Sequence, residues 1–585
     1  MRKIITVLLL LSLSLTSAAC GNGAKSSIPD GTFEGTGNGR GGEIKVSLTM
    51  KDQKVSDIEV LENQESEGLS EAMNILKEEI IATNNLDVDI VSGATLTSVG
   101  FRLAVQDAFS KTGADKSLLL KKEKPAPEKR EEKYDADVIV IGAGGAGLTA
   151  AITAAENGMN VIVLEKMPMA GGNTLISGGE YAAPENWVQE KEALEDSADL
   201  FYGDIMKGGD EESDPALARI LADKALDGAK WLRDEVGMIF EDYMLFFGGH
   251  SVERSLVPKN ATGYEMIHKL TEKLKETGSP VHLETKATEL IMDENGRVTG
   301  VKAEYHGQVI EYTAKKGVIM ASGGFGYNKE MRAKYNEEMG EGYLSTNSVG
   351  SMGDGLVMAE KIGASLVDMS FIQAYPTCDT QSGALLYVGD VRLEGRSILV
   401  NKEGKRFVEE LERRDVISKA VLQQTGGVSY MFWDASAMED SGMDVKHAAE
   451  YNGLIARKQL VKADTLEEAA AFFEIDAEEL KKTVENYNQY AKDGKDLEFN
   501  KRGKLVPFGE GPYYIMVSKP AIHHTMGGIK INTEAQVVST EGKVIEGLFA
   551  AGEVVGDIHG TNRLGSNAIA DITVFGRIAG ESVSK

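Results

Sequence analysis

One stretch constrains the fold more than any other: Asp137-Val138-Ile139-Val140-Ile141, followed by Gly142-Ala143-Gly144-Gly145-Ala146-Gly147. The apolar run reads as a buried parallel strand. The glycines open a helix through Glu156, and a second apolar run, Val161-Ile162-Val163-Leu164, ends in Glu165. A lone G-x-G-x-x-G says little, but between two such strands it is the fingerprint of a βαβ dinucleotide site. Gly142 makes the tight turn, Gly144 lets backbone approach a pyrophosphate, and Gly147 lets helix and strand pack closely. The helix N-terminus offers unpaired N–H groups to the phosphates. Glu165, about 20 residues on, is placed for ribose hydroxyls.

Composition narrows the rest. The 585 residues correspond to about four domains at ~150 residues each, fewer where large α/β units occur. With 63 Lys+Arg against 91 Asp+Glu the formal charge is −28, which repels a nucleic-acid backbone. Two cysteines build neither a disulfide framework nor a Cys-rich metal site, and no Cys-x-x-Cys-His occurs for covalent haem.

The N-terminus reads as a secretory signal over residues 1–19: Arg2 and Lys3, the apolar run Ile4 to Leu15, then Ser17-Ala18-Ala19. Cys20-Gly21 resembles a lipobox, with Ser17 where Leu is usual. That implies a lipidated Cys20, a tether over residues 20–29, and a protein held on the outer face of the cytoplasmic membrane. Residues 30–110 read as a small α+β unit. A Lys/Glu-crowded linker with Pro125 and Pro127 spans 111–134. From 135 onward β-type runs alternate with helical patterns, as in a parallel α/β domain.

Within the small unit, Asp89-Ile90-Val91-Ser92-Gly93-Ala94-Thr95-Leu96-Thr97-Ser98 resembles the flavinylation site of FMN-binding domains. The glycine-rich start, Gly31-Thr32-Phe33-Glu34-Gly35-Thr36-Gly37, is similar to that family too. The resemblance implies FMN joined by a flavin transferase to a threonine hydroxyl, on Thr95 with Thr97 as the alternative.

Three segments of the large domain resemble the fumarate reductase/succinate dehydrogenase flavoproteins: Lys166 to Gly179, Val318 to Phe325, and Gly547 to Glu553. The resemblance implies a Rossmann-type FAD domain. Its cofactor residues would be Gly142, Gly144, Gly147, Glu165, Lys166, Gly172, Asn173, Thr174, Gly178, Gly179, Gly323, Gly324, Asp354, Gly552, Glu553, Ala568 and Ile569. Asn173-Thr174 stands where some members carry a flavin-linked His-Thr, so the FAD is expected to be non-covalent. No second G-x-G-x-x-G offers a nicotinamide site, so electrons are expected from a membrane-side donor through FMN. The family also implies an inserted α+β capping domain, expected at 247–367, between FAD-domain parts 135–246 and 368–585.

By the same resemblance Arg414 aligns with the arginine that protonates the substrate, and His524 and Arg563 with the pair that binds a carboxylate. Arginine's planar fork suits that anion. The departures point to the substrate, an unsaturated carboxylate. Gln373-Ala374-Tyr375-Pro376-Thr377, Gly389-Asp390 and Phe247 replace the groups that hold fumarate's second carboxylate, a pattern that resembles urocanate reductases. Cinnamate- or coumarate-type reduction, fumarate reduction, and a lipid-anchored electron carrier without its own substrate are the alternatives. Leu393 stands where the proton-relay arginine is usual, leaving Arg392 or Arg396 to replace it.

Overall fold

The computed structural model describes residues 27–39, 43–63, 65, 67–88, 91, 95–120 and 129–585. Cys20, the signal segment and the centre of the linker lie outside these residues. Among the described residues no helix is long and apolar enough to cross a membrane.

The N-terminal unit is an antiparallel three-stranded sheet, Gly31–Asn38, Glu43–Lys51 and Lys54–Glu62, with helices Glu67–Thr83 and Thr95–Ser110. Alternation drives it: Ile44, Val46, Leu48 and Met50 are buried while the residues between them face outward. The glycines of the first strand make room for a helix. A Cβ on Gly35 would stand 2.2 Å from the Ala104 carbonyl oxygen, so helix Thr95–Ser110 rests directly on the strand backbone.

The large domain is built on an eight-stranded sheet. Lys133–Ile141 runs parallel to Val161–Leu164 on one side and to Gln308–Met320 on the other, with Ile139 opposite both Ile162 and Val318. Val544–Ala550 runs parallel to the end of Gln308–Met320, and Thr285–Met292 and Val298–Tyr305 extend that edge as an antiparallel ribbon. Helix Gly145–Glu156 packs against the C-terminal helix Asn567–Val583. The close approach needed at the turn is explicit: a Cβ on Gly147 would fall 1.9 Å from the Gly142 carbonyl oxygen. This is the expected α/β Rossmann-type architecture behind a small α+β unit.

The capping insert is not at 247–367. Val281–His282 and the three strands between 285 and 320 belong to the main sheet. A separate antiparallel five-stranded sheet is formed by Ile372–Cys378, Ile398–Val400, Ser429–Asp434, Leu460–Ala463 and Tyr513–Thr525, and this lies over the cleft. Half-buried strands alternate alike in either sheet. What assigns Gln308–Met320 to the core is its wholly buried end, Val318-Ile319-Met320, the pattern of a strand covered on both faces.

Candidate active site

A cleft partly open to solvent runs from the strand–glycine–helix turn to the underside of the second sheet. One end suits a dinucleotide. Gly144 caps helix Gly145–Glu156 without any side-chain hydrogen bond, and only the Gly171 carbonyl oxygen, at 3.8 Å, comes near its missing Cβ. Gly323, at φ +72°, has nothing near it. Glu165 faces this cradle while accepting the Ala143 and Met167 N–H groups at 2.9 and 2.8 Å. Burial pushes its carboxyl up and those N–H groups pull it down. Lys166 and Lys286 both pair with Asp354, Lys286 at 2.9 Å. These open backbone positions, with acids placed for hydroxyls, fit FAD.

Further along, the Asn173 side-chain amide donates to Asn347 at 2.7 Å and to Glu553 at 3.0 Å. Its carbonyl accepts the Ser348 N–H at 2.8 Å. Thr174, Gly172, Gly178, Ala568 and Ile569 line the same wall. Gly147, Gly179, Gly324 and Gly552 do not line the cleft; they let neighbouring chains approach. A Cβ on Gly324 would meet Thr525 Oγ1 at 2.0 Å, and one on Gly552 would meet the Ala146 Cβ at 2.7 Å.

The other end gathers charge. Arg414, the first residue of helix Arg414–Leu422, lies over two rings, with its guanidinium carbon 4.7 Å from the Tyr375 centroid and 5.3 Å from that of Phe247. Its Nη1 is buried without a partner. Burial pushes this guanidinium down from the usual arginine value; Tyr375 and Glu180 oppose that, and Arg392 adds to it. Arg563 is buried beside it and lowered further, first by burial and then by Arg414. Gln373 fixes the Arg563 backbone by donating to its carbonyl at 2.7 Å.

Both members of the histidine pair line the cleft. His523 pairs through Nδ1 with the Thr346 hydroxyl at 2.9 Å, and its ring stands 5.1 Å from Tyr375. His524 turns the other way, 3.7 Å from Glu553 and edge-on to His559 at 5.8 Å. Burial, then the charge of Arg563, lowers both well below the ordinary histidine value. The sequence pointed to His524 alone, yet His523 is the one beside Tyr375. The tandem pair itself was the available signal.

Sequence reasoning also missed Glu180. It lines the cleft and follows directly on Gly178-Gly179, the end of a predicted flavin segment. Burial raises its carboxyl, with Arg414 and Arg563 opposing. Asp390, on the short 3-10 turn Tyr387–Arg392, is raised well above the ordinary aspartate value by burial and then by Glu180. Two acids with raised carboxyls thus line the cleft that also holds Arg414, Arg563, Tyr375 and Phe247. The residue at the usual relay position, Leu393, packs with Leu245, Phe247 and Val257.

In the small unit, Thr95 is the first residue of its helix, and its side chain lies outside the described atoms. Thr97 is fully buried, and its hydroxyl donates to Glu65 Oε2 at 2.7 Å.

Comparison with known proteins agrees with this geometry. Residues 137–569 match the FAD binding domain family and residues 39–110 the FMN-binding domain family. The chain is similar to a urocanate reductase of Eggerthella lenta, 47% identical over 98% of this chain and 94% of that protein. It is also similar to an NADH:acrylate oxidoreductase of Vibrio harveyi, 34% identical over 95% of this chain but only 61% of that longer protein. Among solved structures, the open conformation of a flavocytochrome c3 fumarate reductase superposes with a TM-score of 0.64 at 38% identity, covering 77% of this chain and 78% of that one.

Fold, cleft and relatives together define an FAD-dependent oxidoreductase acting on carbon–carbon double bonds, with an FMN-binding domain ahead of its FAD domain. Within that class, the chain belongs to the fumarate reductase/urocanate reductase family.

Proposed function

We propose that this protein reduces (E)-urocanate to imidazolepropionate on the outer face of the cytoplasmic membrane. It would be anchored there through Cys20 and fed electrons through FMN attached to Thr95. Bound FAD supplies the hydride for the β-carbon of the substrate. The protein's own residues do the rest. Arg563 and the histidine pair receive the carboxylate and stabilise charge building on it. Arg414 gives a proton to the α-carbon. Tyr375 and Phe247 pack the ring faces.

The observation that carries the substrate is the pair Glu180 and Asp390. Glu180 raises the cost of ionising Asp390 inside the cleft, and a ring bearing N–H donors relieves that cost by a charge-assisted hydrogen bond. Fumarate would bring a second anion to the acids, and cinnamate would leave them desolvated without a donor. The similarity to a urocanate reductase along nearly the whole chain supports the same reading.

The test is a substrate panel with dye-reduced holoenzyme. Urocanate should turn over fastest; faster fumarate or cinnamate reduction at equal concentration overturns the assignment. For the anchor, mature protein from its host should partition into detergent with a diacylglyceryl-Cys20. An N-terminus that stays in the aqueous phase would refute the anchor.

A further inference from the structure

The loop between helices Ala198–Gly208 and Pro215–Asp234 carries an acid that the chemistry above does not use. Asp210 holds a left-handed φ of +57°, a conformation that aspartate tolerates better than most side chains. Its carboxylate meets two other segments at once. It accepts two hydrogen bonds from Arg413, Nη1 at 2.5 Å and Nη2 at 3.0 Å, and it accepts the Thr561 hydroxyl. Arg413 is the N-cap of helix Arg414–Leu422 and makes no side-chain cap bond to it. Its other partner is Asp415 on that helix, at 3.0 and 2.9 Å. Thr561 stands two residues before Arg563. The loop also holds that segment by its backbone: the Gly209 carbonyl accepts the Thr561 N–H at 3.1 Å, and the Gly208 carbonyl accepts the Asn562 amide at 3.2 Å. A Cβ on Gly560 would lie 2.3 Å from the Gly209 carbonyl oxygen, so the two chains leave no slack.

We propose that Asp210 is a latch, the positioning residue that sets Arg414 against Arg563. One carboxylate joins the start of the Arg414 helix to the loop that carries Arg563. These belong to different bodies: the Arg414 helix packs on strands Ile372–Cys378 and Tyr513–Thr525 of the second sheet, whereas helices Ala198–Gly208, Pro215–Asp234 and Asn567–Val583 pack together in the FAD domain. The latch rests on the enoate reductase reading and adds to it a part that touches neither substrate nor flavin. Something must hold the two segments, because the guanidiniums repel: Arg414 disfavours charge on Arg563. With the Asp210 side chain 49% exposed, its ion pair adds little to global stability. What it fixes is a distance, and a displacement of about 1 Å costs a catalyst about 100-fold.

The test compares Asp210→Asn, Arg413→Met, their double variant and Asp210→Glu as FAD- and FMN-loaded full-length enzymes. Asp199→Asn, which removes an exposed ion pair with Arg219, is the control. Asp210→Asn and Arg413→Met should each lower kcat on urocanate, per bound FAD, by about 100-fold. Their melting temperatures should stay within about 3 °C of wild type. The double variant should be no slower than the slower single, because both changes cut one contact. Asp210→Glu keeps a carboxylate and should recover part of the rate, and Asp199→Asn should match wild type. Amide hydrogen exchange reads the latch without turnover: Asp210→Asn should quicken exchange both at the start of helix Arg414–Leu422 and at 558–566, and Arg413→Met only at the first. Wild-type kcat per bound FAD in folded Asp210→Asn overturns the latch. So do losses that multiply in the double variant, an equal loss in Asp199→Asn, or unchanged exchange at either segment in Asp210→Asn. A wild-type enzyme that reduces no acrylate yet gives this exchange pattern refutes the enoate reading and supports the tie between the two segments.

Discussion

The guanidinium carbon of Arg414 stands 4.7 Å from the centre of the Tyr375 ring, on a strand and a helix brought together by the second sheet. The guanidinium also lies over the Phe247 ring, at 5.3 Å. A cation held over two faces loses water but keeps the rings' negative quadrupoles, worth about 2 kcal/mol when desolvated. Tyr375→Phe keeps the face and should hold kcat within about threefold. Tyr375→Ala should lower it about 30-fold, the equivalent of ~2 kcal/mol, as steady-state assays with reduced dye will read. Equal rates in both variants would show that the ring does not support Arg414.

The two acids set a pH dependence. Asp390 and Glu180 both protonate above the ordinary carboxyl range, so acidification removes their charge early. The imidazole of urocanate, the proposed substrate, loses its own proton above a pKa of ~6.5. kcat/KM for urocanate should therefore be bell-shaped, whereas cinnamate should gain on the acid side as the unpaired acids are neutralised. Glu180 raises Asp390, so in Glu180→Gln the acid limb should move to lower pH. Asp390→Ala should cost urocanate far more than cinnamate. Superimposable acid limbs for the two substrates would contradict this account.

How much of this was legible beforehand depends on range. The strand, glycines and helix at 137–156 are one local pattern, and they fold as it dictates. Arg414, Arg563, Tyr375, Asp390 and Phe247 could be singled out by motif, and all line one cleft. The position of the second sheet could not be read. Whether a half-buried strand pairs with Lys133–Ile141 or with Tyr513–Thr525 is a long-range choice that alternation does not encode. Glu180 was invisible for the same reason: its importance comes from Asp390, which only the fold brings near.

Away from the cleft, Arg406 holds the Glu410 segment in a buried network. It meets Glu410 at 2.8 and 2.9 Å and Asp496 at 2.9 Å. Arg406 and the surrounding backbone N–H groups pull Asp496 down to about 2 despite its burial. A lowered folded value stabilises above the unfolded aspartate value of 3.8, and the gain is lost as pH falls toward about 2. Asp496→Asn should cost about 3 kcal/mol at neutral pH by leaving a buried arginine short of a partner. The gap in melting temperature between variant and wild type should close from about pH 4 downward. A gap that stays constant through that range would place the loss in packing rather than charge.

The proposed covalent FMN has two candidate acceptor hydroxyls on one helix. Thr97 is fully buried and already donates to Glu65 at 2.7 Å, so reaching a transferase would cost that bond and a local opening of the helix. Thr95 begins the helix, where unpaired backbone N–H groups and the positive end of the dipole favour a phosphodiester. Protein co-produced with a flavin transferase and then denatured should retain one FMN in wild type and in Thr97→Val, and none in Thr95→Ala. In-gel flavin fluorescence and intact mass read this directly. Thr97→Val should also melt lower, because it abandons the Glu65 carboxylate, whereas Thr95→Ala should melt near wild-type apoprotein. FMN kept in Thr95→Ala but lost in Thr97→Val would reverse the assignment and require the helix start to open during flavin transfer.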